Sequence, residues 1–470
     1  MKPALALVIL GLISISAWGT GAVYDLDLHV DFFHGSFTGT ETVTYTNPTS
    51  EPLYELPFRL YPNSPYLYGD GTLSVDSATV AGTPVTAETV GDGTYLFVPL
   101  PAPVQSDGEI VVRFAFHGRA ADWRNGRGKS AADYGIYAAS PAAMTLAEFY
   151  PMLAPYDPCT GWVLDPVYQN GDPVTSASSD YTVTVTADAG LTVLSSGSEV
   201  GTEPVGDEVK HTFVGDDIRD FMLVVTSGYE TRATAAGGTL VRTSFLPSHN
   251  QAAARAATLA AESLALYGEL FGPYSGTELD IVEAPLGRAA GVEYPGLILV
   301  GESYCNNPYD QFFTVIIAHE VAHQWWYAAV GNDVIDEPWL DEGLATYSSV
   351  LFLEHKWRKE GDSFLSSWID YYRRARAQHP DLSVTSPVPL FPDSSTYTAF
   401  VYYGGAAFLD AVRKRIGDTA FFAGLSSYYR DLSGQIAHGY DLISHLEAAC
   451  GCGLGDLASE FLLPVGERVH

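Results

Sequence analysis

Two histidines one helical turn apart, with a glutamate directly after the first, are the residues of this chain best suited to chemistry: His319, Glu320 and His323 in the stretch AHEVAHQWW. On a helix, positions four apart lie one above the other, so both imidazoles point to one place, and Glu320 stands off that row by about 100°. Phe312, Phe313, Val315, Ile316, Ile317, Val321, Trp325 and Trp326 cover most of the remaining circumference, which predicts a helix buried on nearly every side. Ionisable groups buried without compensation are costly, and a divalent cation is the natural compensation. Two imidazoles and a carboxylate so placed are the ligands and general base of zinc-assisted hydrolysis; the competing reading is a buried histidine pair satisfied by ordinary hydrogen bonds. Zinc that does chemistry takes three protein ligands and keeps a fourth position for water. Glu342, nineteen residues after His323 in WLDEGLATY, is the candidate third ligand. Gly343 is expected to let its helix approach that of the histidines, and the small Ala345, Thr346 and Ser349 on the same face leave room for one Zn2+ per chain.

The elements that must position these residues follow from periodicity. HNQAAARAATLAAESLALYGELFG has the helix period, with a polar start at Asn250 and a stop at Gly272; ELDIVEAP and GLILVG read as strands. DQFFTVIIAHEVAHQWWYAAVG then reads as one helix and DEPWLDEGLATYSSVLFLEHKWRKEG as a second, ending at Gly361. Before Gly228 the chain is a succession of short alternating runs such as YDLDLHVDF and DYTVTVTAD, which predicts an antiparallel β-sandwich. The excursion YPMLAPYDPCTGWVLDPVYQNGDP interrupts it and, with its large aromatics, is expected to be an ordered loop. The fold class is therefore α+β and multidomain: an amino-terminal β domain, residues 23–228, and a mainly helical domain with a small mixed sheet, residues 229–470.

Residues 1–22 carry Lys2, a short apolar run and then small residues, the pattern of a signal peptide cleaved after Ala22. A secreted, periplasmic or otherwise extracytoplasmic protein is expected, with an uncleaved amino-terminal anchor as the alternative. Against 24 Lys and Arg stand 56 Asp and Glu, a formal charge of -32, which argues against nucleic acid and anionic membranes as partners and suits solubility or a saline habitat. No stable membrane insertion is expected after signal removal. The four cysteines are too scattered for a disulfide framework, with one bridge available.

With these residues in view, HEVAHQWW followed by the glutamate of WLDEGLATY resembles the gluzincin metallopeptidases, and within them the alanyl aminopeptidase and leukotriene hydrolase/aminopeptidase family. AAGVEYPG is similar to that family's Gly-x-Met-Glu-Asn element, with Val292 for methionine and Tyr294 for asparagine. FVYYGGAAFL is similar to its Tyr-x-Lys-Gly segment, with Gly404 where lysine is usual. LPFRLYPN resembles its amino-terminal domain, and YDLISHLEAACG the end of its catalytic domain. The sequence stops soon after, so a short form without the carboxy-terminal helical domain is expected.

The resemblance implies a thermolysin-like catalytic domain, Glu320 as general base and Tyr402 as the phenol that stabilises the oxyanion, with Tyr403 its neighbour and competitor. It implies that Glu293 pairs with the free amino terminus of a peptide, with Gly291 and Gly296 permitting close backbone approach to the ligand, and that Glu148 in AEFYPM is a second acid for the amine. Asp336 or Asp341 is a candidate to orient a ligand histidine, with a helix-terminus role equally open for either. The function expected is a secreted zinc aminopeptidase acting on peptides with a free amino terminus. A zinc endopeptidase and a non-catalytic peptide-binding surface protein are the alternatives.

Overall fold

A computed structural model of the chain describes residues 21–124 and 133–465. The expected leader, residues 1–22, lies outside these apart from Gly21 and Ala22. In the strand Val23–Asp31, Tyr24, Leu26, Leu28 and Val30 are buried while their neighbours face outward, as a half-buried pleated strand requires. This strand lies within an eight-stranded sheet. It pairs antiparallel with Ser36–Thr46 on one side and parallel with Ser179–Asp188 on the other, with Tyr24 opposite Tyr181. The expectation of a purely antiparallel domain is corrected at this pair. Ser179–Asp188 follows the long excursion, and a long connection delivers a strand in either direction, whereas a tight hairpin does not. A four-stranded sheet containing Leu53–Arg59 and Tyr95–Val104 packs against the large one, Phe58 meeting Phe114 edge-on with ring centres 5.0 Å apart.

The last strand of this region ends at Thr226, and a new sheet opens at Glu230. Its five strands run in the order Glu230–Ala236, Thr239–Phe245, Glu278–Ala284, Leu297–Gly301, Gly291–Tyr294. The middle pairs are parallel, with the helix Asn250–Leu270 as the crossover. Both faces are covered, which explains the unbroken apolar runs. Ile281, Ile298 and Val300 join the core of the helices, and Val282, Leu297 and Leu299 join the core of the β domain.

The helix with the two histidines, Gln311–Ala322, opens with the Asp310 carboxylate accepting from the Phe312 amide. It ends sooner than its sequence predicts. The chain tightens through His323 to Trp326, the Gln324 and Trp325 amides donating to carbonyls three residues back, and Tyr327 at φ 125° turns it away. Trp325 and Trp326 are drawn into the core beside Tyr267 and Phe271. The next expected helix is two helices, Trp339–Lys356 and Arg358–Gln378, broken at Trp357. Gly361 lies inside the second, where a Cβ would fall 2.7 Å from the Glu354 amide nitrogen; the glycine allows a sharp reversal and is no stop signal. Cys450 and Cys452 are bonded to each other, and Cys159 and Cys305 are free thiols. Among the described residues no helix is long and apolar enough to cross a membrane.

Candidate metal centre and its cleft

The three expected ligands converge. His319 Nε2 lies 3.1 Å from His323 Nε2, and Glu342 Oε2 lies 3.0 Å from the first and 3.5 Å from the second. Donors about 2.05 Å from a tetrahedral zinc are about 3.3 Å apart, so the trio has the edge lengths of three corners of that tetrahedron. His323 Nδ1 is 2.8 Å from the Trp326 carbonyl. A carbonyl only accepts, so Nδ1 carries the hydrogen and the Nε2 lone pair faces the other two donors. The early end of the helix thus has a chemical role: the tightened turn brings Trp326 round to fix the tautomer of His323. This replaces the expected orienting acid. Asp336 is exposed, and Asp341 Oδ1 accepts from the Glu342 amide at the start of its own helix. Burial pushes the Glu342 carboxyl up, but hydrogen bonds and charge from His319 and His323 outweigh it and bring it down to about 2; the residue is a carboxylate. Donor type, spacing and charge all fit zinc.

Glu320 is buried beside this trio, and its Oε2 has no hydrogen-bond partner. Burial, with the Glu293 carboxylate second, holds it well above the usual carboxylate range. A Cβ on Gly291 would lie 2.3 Å from Glu320 Oε1, so the missing side chain of Gly291 makes room first for the general base. Gly296 serves a turn, at φ 71°. Glu293 is on the edge strand Gly291–Tyr294, where Val292 and Tyr294 belong to the β-domain core. Strand alternation therefore turns Glu293 the other way, towards the metal trio. It is 8% exposed, and among the described residues no hydrogen bond or ion pair engages it.

Tyr402 lies in a π-helical turn, Ala399–Gly404, ahead of the helix Gly405–Ile416. Its hydroxyl donates to Glu342 Oε1 and its ring stacks on His319 with centres 5.8 Å apart. Tyr403 instead stacks on Trp368, centres 5.1 Å apart. Of the two tyrosines, Tyr402 is the one at the trio. What brings it there is a glycine pair: a Cβ on Gly405 would lie 2.7 Å from the Gly343 Cα. Gly343 is thus spent on the tyrosine helix and not, as expected, on the helix of the histidines. Gly404, where the resemblance leads one to expect lysine, is wedged against Tyr372 and Val384.

Glu148 is buried at φ 46°, a left-handed conformation unusual for a glutamate, and accepts from the Tyr68 hydroxyl at 2.8 Å. Burial, reinforced by Asp220, pushes it up to about 8. It lines a small inner cavity together with Glu293, Asp172 and Asp220. A cavity of about 290 Å³ opens over His319 and Glu342 of the trio and is lined by Asp172, Arg288, Glu293, Glu320, Trp368 and Tyr402 among others. Asp172 and Arg288 are residues that sequence reasoning missed. Asp172 comes from the aromatic excursion of the β domain, whose ordered character was legible but whose destination was not.

The fold and the site define a two-domain zinc-peptidase architecture. The M1 zinc metallopeptidase of Deinococcus radiodurans has the same fold, with a TM-score of 0.66 over 93% of this chain and 91% of that one at 20% identity, and has also been solved with a Tyr-Ser-Ala substrate bound. Residues 255–461 match the peptidase family M1 domain. Aminopeptidase 2 of Candida albicans is 28% identical over 294 residues, 59% of this chain and 31% of that protein. Probable aminopeptidase 1 of Saccharolobus solfataricus is 25% identical over 211 residues, 42% of this chain and 26% of that one. The chain thus spans about a third or less of the length of these relatives. Over residues 255–461 the chain is similar to the peptidase family M1 domain, in keeping with the gluzincin group that its motifs resemble.

Proposed function

We propose that this protein is an exported zinc aminopeptidase that removes the first residue of peptides. The observation that carries the reading is one cavity in which a zinc-shaped donor trio, an unpartnered buried base and a second unpartnered carboxylate stand together. His319, His323 and Glu342 would hold zinc, which when bound would supply a Lewis acid to activate water and polarise the scissile carbonyl. Glu320 takes the proton of the attacking water and returns it to the leaving amine, its burial keeping its proton affinity high enough for both transfers. The Tyr402 hydroxyl turns from Glu342 to the developing oxyanion and stabilises it by hydrogen bonding. Glu293 pairs with the ammonium of the peptide and so fixes which bond reaches the base. Glu148, one layer further in and kept mostly protonated near pH 7 by burial, stands behind Glu293 as the second acid on the amine side. Export rests on Lys2 and the apolar run behind it; sequencing the mature amino terminus tests it, with cleavage near Ala22 expected.

The assay compares an aminoacyl anilide with its amino-blocked form. Cleavage of the free amine alone is expected; equal cleavage of both removes the aminopeptidase reading in favour of an endopeptidase. Glu320→Gln is expected to lower turnover roughly a hundred- to ten-thousandfold while zinc stays bound. Retained hydrolysis in that variant contradicts the assigned base.

A further inference from the structure

The cavity over the trio has an electrical direction. At its inner end stand Glu293 and Asp172, and the latter makes no hydrogen bond or ion pair among the described residues. At its rim stands Arg288, the one lysine or arginine among the described residues that line it. Arg288 is exposed and, in a chain with more than twice as many acids as bases, forms no ion pair among the described residues. Its Nη2 donates to the Ser394 hydroxyl, which in turn donates to Asn170 Oδ1 at 2.7 Å. This relay holds the guanidinium over the cavity and leaves its other N–H groups uncommitted.

The strand geometry says what that guanidinium meets. Gly291–Tyr294 is an edge strand, paired only with Leu297–Gly301, so its free edge can take an extended peptide. Resting on the aminopeptidase reading above, the peptide amine sits at Glu293. Beyond Tyr294 the way is closed: that residue is buried, its carbonyl takes the Gln324 side chain, and the chain turns back at Gly296. The substrate must therefore run the other way, past Gly291 and Ala290 towards Arg288 and the rim. Arg288 is five residues before Glu293, at most about 17 Å along the chain, and the bends between shorten that. A tripeptide spans roughly 10 Å from amine to carboxylate, and two inward-leaning side chains supply the remainder.

We propose that Arg288, held by Ser394, binds the free carboxyl terminus of short peptides, so that the substrates of this cleft are zwitterionic peptides of about two to four residues. An arginine fork matches a carboxylate with two parallel hydrogen bonds, a geometry that an amide cannot reproduce. The test compares a tripeptide with its carboxyl-terminal amide on the whole protein. The ratio of kcat/KM for acid over amide is expected to be about tenfold, carried mainly in KM, to fall to near one in Arg288→Ala, and to invert in Arg288→Glu. A wild-type ratio of one, or a ratio that Arg288→Ala leaves intact, overturns the assignment. Turnover of an aminoacyl anilide, which has no carboxylate, separates the two readings. If the anilide is cleaved and acid and amide are equal, only the Arg288 assignment fails; if no anilide with a free amine is cleaved, the aminopeptidase reading fails and this one with it.

Discussion

At the residue scale, the division of labour follows from what each side chain faces. Tyr402 and Tyr403 are neighbours of the same type, yet one is engaged with Glu342 and the other with Trp368. Tyr402→Phe is therefore expected to lower kcat about a hundred- to thousandfold, the effect of removing one oxyanion donor, with zinc content unchanged; Tyr403→Phe serves as the comparison and is expected to act mainly on KM. Asp220 shows what burial does to an acid away from the trio. Burial lifts it to about 7 despite the Tyr327 hydrogen bond and nearby Arg219, and its Oδ1 has no partner. The unfolded chain releases this proton near the ordinary value of 3.8, so between about pH 4 and pH 7 the unfolded state binds fewer protons and stability falls as pH rises. Asp220→Asn is expected to flatten that slope in urea melts at a series of pH values; an unchanged slope contradicts the assignment.

At the scale of elements, the chemistry depends on where helices stop and how closely they cross. The histidine helix ends at Ala322, and only because the turn after it tightens does the Trp326 carbonyl reach His323. The Gly343–Gly405 contact sets Tyr402 against Glu342. Gly405→Ala places a methyl group 2.7 Å from a backbone carbon, so the crossing must open, at a cost of about 1–3 kcal/mol in stability. Activity is expected to fall further than the loss of folded protein explains, which a comparison of kcat with the folded fraction measures. The existence and kind of these elements were legible: Asn250–Leu270 begins and ends as its polar start and following glycine foretell, and the HEVAH and WLDEG runs are helices. Their ends were not, because periodicity cannot register two tryptophans leaving a helix for the core, or a glycine such as Gly361 used for close packing inside a helix. The ligand trio was legible because i,i+4 spacing is itself geometry. The partner of Gly343 was not, because it is sixty-two residues away in sequence.

At the scale of the whole molecule, the cleft is a joint product of both domains. Arg219, from the β domain, is buried and donates to the carbonyls of Ser176, Tyr327, Ala329 and Gln435, tying the β domain to the two chain segments that follow and close the catalytic half. Gly331 makes room for it: a Cβ there would lie 2.3 Å from the guanidinium carbon. Arg219→Met leaves the buried Ser176 and Tyr327 carbonyls without this donor, while those of Ala329 and Gln435 keep the Gly434 and Gly331 amides; a loss of about 2 kcal/mol or more is expected, read as a lower Tm and loss of a single cooperative transition. Long-range assembly of this kind left little trace in the sequence, and for the same reason neither Asp172 nor the Ser394 and Asn170 relay that holds Arg288 could be assigned to the cleft, although Arg288 itself lies only five residues before Glu293.

The most direct test of the account is an anomalous difference map recorded at the zinc absorption edge from crystals of the native protein. The account predicts one strong peak about 2.0–2.2 Å from His319 Nε2, His323 Nε2 and a Glu342 oxygen. Absence of a peak there, or a peak only at one of the other two close donor sets, His249 with Glu283 and Cys305 or Glu293 with Glu320 and His323, contradicts it.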